Sequence, residues 1–117
     1  MSEKGENSEG AFQYLVGMLE EAVQEGADSV GLEREDGDLT VVQYSGNRGM
    51  EIGPIPKELG QTLVDEIIDR AGLAHTSRGE IQIFLAGRDY RVVVDERDDC
   101  GESAFNLLLK KSTRSRK

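Results

Sequence analysis

Between Pro54 and Gly72 the chain alternates apolar and polar positions with helical spacing: Leu59, Leu63, Val64, Ile67, Ile68 and Ala71 recur every three to four residues. Pro56 suits the first turn of a helix, where no backbone donor is needed, and Gly72 suits the position just past its end. The opposite side collects Glu58, Asp65, Glu66 and Asp69, which predicts a core helix with an acidic outer face. An earlier stretch behaves the same way. Phe12, Leu15, Val16, Leu19, Ala22 and Val23 fall in a stripe about 120° wide at 100° per residue, predicting an amphipathic helix from Ala11 to near Gly26. Glu21 and Glu25 sit four apart on its outer side and repel each other mildly.

Elsewhere the period drops to two. Val30 and Leu32 alternate within Ser29 to Glu33, the turn-rich Glu35-Asp36-Gly37-Asp38 follows, and Leu39 to Tyr44 alternates again, which predicts a hairpin. Ser45-Gly46-Asn47 makes the next turn, and Gly49 to Ile55 supplies a third strand. After the loop LAHTSRG, Ile81, Ile83 and Leu85 alternate with Gln82, Phe84 and Ala86. Gly87-Arg88 predicts a two-residue hairpin connection with glycine first, leading into a strand from Tyr90 to Asp95. A polar turn from Arg97 to Gly101 separates this from a last apolar run, Ala104 to Leu109, read as strand because six residues are few for a helix.

The resulting order is α-β-β-β-α-β-β-β. Strands joined by such short turns pair antiparallel, since parallel pairing needs a long crossover. The expected fold is therefore α+β: a six-stranded, mainly antiparallel sheet with both helices on one face. Residues 11–109 form the expected single domain, preceded by a flexible acidic leader over 1–10 and followed by a disordered basic tail over 110–117.

Composition sharpens this picture. The 117 residues carry a net charge of -9, yet five of the 14 basic residues lie in the final KKSTRSRK, leaving 9 basic against 23 acidic residues in the other 109. A body near -14 repels nucleic acid and anionic membrane and favours cationic partners. No apolar run approaches the roughly 20 residues that cross a bilayer. The N-terminus MSEKGENSEG is unlike a signal peptide, and the single cysteine, Cys100, cannot form an intramolecular bridge. A cytoplasmic setting is the expectation.

The chain contains no GxxxxGK[ST], GxGxxG or HExxH motif and no paired-cysteine metal motif. His75, the only histidine, lies in a polar loop and is read as exposed rather than as a general base. A nucleophilic Cys100 paired with His75 is disfavoured because Asp98 and Asp99 oppose a thiolate. The clusters Glu33 to Asp38 and Asp95 to Asp99 are read as solvated hairpin turns, the first lacking the glutamate that a calcium loop of EF-hand type requires. No residue is assigned as catalytic, cofactor-binding or metal-ligating, and no cofactor is expected.

LVGMLEEAVQEGADSVGLE, the hairpin around Asp36-Gly37, PIPKELGQTLVDEIIDRAGL and the closing CGESAFNLLL together resemble the PAS-like domain that precedes the motor in bacterial type II secretion and type IV pilus assembly ATPases. The resemblance covers about Ala11 to Lys110, and its most specific piece is the proline-led helix ending in Ala71-Gly72-Leu73. It departs where that family is functional. Gly31 stands where the family's first strand typically has a histidine, LTVVQY replaces an arginine-rich strand, HTSRGE replaces a Gln-Asp-Gly-Arg element, and Leu107 stands for an arginine. Those arginines help form the family's nucleotide site, so the resemblance implies a scaffold without the motor and no catalytic residue. Its implied function is a non-catalytic interaction module that binds a protein, such as a secretion or pilus ATPase or a second copy of itself. The alternatives are an acidic secretion-chaperone-like protein and a small-ligand-binding PAS-like sensor.

Overall fold

The computed structural model describes residues 3–99 and 102–112, with side chains over 9–97 and 104–112. Helix α1 (Glu3–Gln24) leads into strands β1 (Ser29–Glu35), β2 (Asp38–Ser45) and β3 (Arg48–Pro54). Helix α2 (Lys57–Ala71) then precedes β4 (Arg78–Leu85), β5 (Arg88–Asp99) and β6 (Glu102–Lys111). All six strands form one antiparallel sheet in the order β3-β2-β1-β6-β5-β4, so the expected α+β architecture is the one observed. Each half is a local meander, and the first and last strands join the halves through Val30 opposite Leu107 and Leu32 opposite Phe105.

The helices pack on each other and on β1, β2 and β4, covering one face. Beneath them lie Val30, Leu32, Val41, Ile81, Ile83, Leu85, Val92, Val94, Phe105 and Leu107. Leu15, Leu19 and Ala22 of α1, with Leu63, Val64, Ile67 and Ala71 of α2, meet that layer. Each apolar side chain taken out of water contributes on the order of 1.5–3 kcal/mol before ordering costs. Helix α2 opens after Pro56, whose carbonyl accepts from the N–H groups of Leu59 and Gly60, and closes at left-handed Gly72 (φ 69°). Where β4 passes under this end, a Cβ on Gly79 would come within 1.9 Å of the Ala71 carbonyl oxygen.

Several boundaries differ from expectation. Helix α1 starts at Glu3, so the segment read as a leader is largely helical. The β4–β5 connection is Ala86-Gly87, one residue earlier than expected, and both positions have positive φ (48° and 85°), as a mirror-image turn requires. The Ala86 N–H donates to Glu20 Oε2 at 3.1 Å, tying this turn to α1. Strand β5 runs to Asp99 and β6 begins at Glu102, so Asp95 to Asp99 is strand rather than turn; Cys100 and Gly101 lie outside the described residues. Lys110 and Lys111 belong to β6, and the Ser112 N–H donates to the Asp89 carbonyl, while the rest of the basic tail lies outside the described residues.

Candidate functional site

Three surfaces carry the residues with chemical potential. The first is the outer side of α2, where Glu58, Asp65 and Asp69 are exposed as expected. Asp65 accepts from Gln61, and neither Glu58 nor Asp69 has an ion-pair partner among the described residues. Glu66 does not belong to this face. It is only 8 % exposed and accepts a hydrogen bond from Arg70 Nε, whose guanidinium lies 3.6 Å from the centre of the Phe12 ring on α1. At 100° per residue Glu66 falls about 20° from Leu59, on the border of the apolar stripe, which explains its burial. A buried carboxylate with this partner holds the helices together, since an unpaired one would be costly.

The second surface is the face of the sheet opposite the helices. A hollow of about 490 Å³ is bordered there by Ser29, Gly31, Glu33, Tyr44, Arg97 and Asn106. Tyr44 Oη donates to Glu33 Oε2, and this bond raises the phenol above its ordinary value by favouring the neutral form. Burial and the Glu33 charge raise it further, and Arg97 opposes them. Elsewhere on this face two ion pairs cross strands, Arg91 with Glu80 at 3.1 Å and Arg78 with Asp95 at 3.7 Å, while Phe84 is exposed. In the first acidic cluster Asp36-Gly37 is the β1–β2 turn, as expected, and the flanking carboxylates take separate partners. Glu33 goes to Tyr44, Glu35 accepts from Thr40, and Asp38 pairs with Lys57. No three potential metal ligands lie together among the described residues. His75 is exposed in the loop after α2.

The third surface was invisible in the sequence. On the helix side of the sheet, edge strand β3 leaves Met50 and Ile52 exposed by 53 % and 45 %. Between β3 and α1 runs a groove made of two hollows of about 440 and 400 Å³, both bordered by Gln43. Tyr14, Gly17 and Met18 of α1 form one wall, Ile52 and Met50 the other, and Val41 lies on its floor. The pairing register shifts between Val41 and Val42, leaving Ile52 as an extra residue on β3. That bulge is the reason simple alternation failed to mark the strand as half uncovered.

Compared with known proteins, no family model matches the chain and no curated protein is detectably similar to it. No helix among the described residues is long and apolar enough to cross a membrane.

Proposed function

We propose that this chain is a non-catalytic protein-interaction module of the cytoplasm, without affinity for nucleic acid. The observation that carries this reading is the exposed apolar pair Met50 and Ile52 on a strand that the helices leave uncovered, because contiguous apolar surface rimmed by polar groups marks interaction sites. The acidic outer face of α2 supplies a second, charged contact for a cationic partner. The resemblance to the secretion and pilus ATPase N-terminal domain makes such an ATPase one partner to look for.

The test is capture from a lysate of the source organism on the immobilised full chain at low and high salt, with mass-spectrometric identification. Recovery of a secretion or pilus ATPase is expected at low salt, weakened at high salt and lost when Glu58, Asp65 and Asp69 are all changed to Lys. Undiminished capture by the triple variant would remove the α2 face from the proposal, and an empty capture would remove the interaction reading. A chaperone-like role is the second reading, favoured by the additional exposure of Phe84. It requires a dimer that co-purifies with one secreted client.

A further inference from the structure

We infer that the groove between α1 and β3 receives one amphipathic helix of a partner protein, with an apolar face and with lysine or arginine along the edge that meets α1. This deepens the interaction reading above and rests on it. The helices cross the strands, α2 reaching from β4 to β2 and α1 from β4 to β1. The helix packing falls on β1, β2 and β4, and the strip left beside α1 is the one over β3.

The lining fits an incoming side-chain surface. Gln43 is only 5 % exposed, borders both halves of the groove, and its amide makes no hydrogen bond among the described residues. Its amide reaches water at the floor of the groove, and an incoming side chain can take that water's place as hydrogen-bond partner. Gly17 lies on the α1 wall in mid-helix, and a Cβ there would meet nothing within 4 Å. The packing of this chain therefore does not need a glycine at that position, while its bare backbone widens the groove. Met18 and Met50 offer adaptable sulfur-containing contacts of the kind that accept helices.

A strand is a poorer occupant. Along the outer edge of β3 the extra residue Ile52 and the missing N–H of Pro54 leave regular pairing groups only over Arg48 to Glu51. The charge of the occupant follows from Glu21 on α1 and Glu25 in the turn just past it, both exposed, both bordering the groove and without ion-pair partners among the described residues. Cations four apart on a facing helix would pair with both. Arg48 is the one cation bordering the groove; it shares the hollow with Glu25, so the hollow beside Glu21 is the one left wholly acidic. A second copy of this chain would set glutamates against glutamates.

The experiment uses the full chain, isotope-labelled for NMR, and a synthetic leucine/lysine peptide of about five helical turns with leucines at i, i+3, i+4 and i+7. A scrambled peptide of the same composition is the control. The expected result is saturable binding of the amphipathic peptide, with shifts concentrated at Gly17, Met18, Val41, Gln43, Met50 and Ile52. Met50→Asp with Ile52→Asp weakens it at least tenfold although the chain becomes more negative. Gly17→Leu, which fills the groove, gives the same loss at an equal or higher Tm. Equal or tighter binding by the double aspartate variant, or equal binding of the scrambled peptide, would reduce the effect to charge attraction and overturn the inference. So would shifts on α2 or the open face, or a wild-type dimer dissociated by the two aspartates. If the peptide fails while a lysate partner binds the wild type and not the double variant, the inference falls and the interaction reading stands.

Discussion

Tyr44 owes its position to two residues without side chains. A Cβ on Gly49 would lie 2.8 Å from ring atom Cε1, and one on Gly31 would lie 3.1 Å from Cε2, so the ring occupies space on both neighbouring strands that only glycine leaves. Its hydroxyl then reaches Glu33. Because that bond raises the phenol above 10, the folded state holds the proton more tightly than the unfolded chain does. This contribution to stability is complete below pH 10 and is lost as the pH rises from 10 through the folded-state value. Absorbance titration should show a late phase of phenol ionisation that Tyr44→Phe removes; an unchanged titration in the variant would place the shift elsewhere. The sequence held the residues of this cluster without announcing it. Gly31 drew notice only for replacing a family histidine, because a cross-strand neighbour is defined by register and not by local pattern.

Among the elements, α2 was the most legible. Its spacing, Pro56 and Gly72 are all local signals, and they located a helix that runs from Lys57 to Ala71. What local pattern omits is the contact at its end. The Ala71 carbonyl sits where a side chain on Gly79 would project, so Gly79→Ala should cost roughly 3 kcal/mol by forcing α2 off β4. Gly60→Ala, in the same helix and with nothing within 4 Å of the new methyl, should instead gain about 0.5–1 kcal/mol. Urea midpoints at unchanged m-value measure both, and equal effects of the two changes would contradict the packing described. Two elements were misjudged for one shared reason. The segment before Ala11 and the end of β5 are rich in charge, and charge imitates a loop, but α1 starts at Glu3 and the pairing of Asp99 with Glu102 carries β5 to its end. The third strand was located correctly, yet the bulge that bares Met50 and Ile52 left no periodic trace.

At the scale of the molecule, the two hairpin meanders follow from turn chemistry, whereas the pairing of β1 with β6 joins residues far apart in sequence and no local rule specifies it. That seam covers Ser29 to Leu32 against Phe105 to Leu108. It divides the chain unequally, because both helices precede β4 and the second meander has none of its own. Ile81, Ile83, Leu85, Val92 and Val94 are nevertheless buried, under helices that belong to the first half. A protease site placed after exposed His75 should therefore yield a nicked protein whose pieces elute together in native buffer and separate in urea; separation in native buffer would contradict the interlocking. The second half, cut loose, would be a sheet with one bare apolar face. In assembly terms the first half acts in cis as the cover that a separate partner would otherwise have to supply, and the loop from Leu73 to Ser77 is the tether that joins the two.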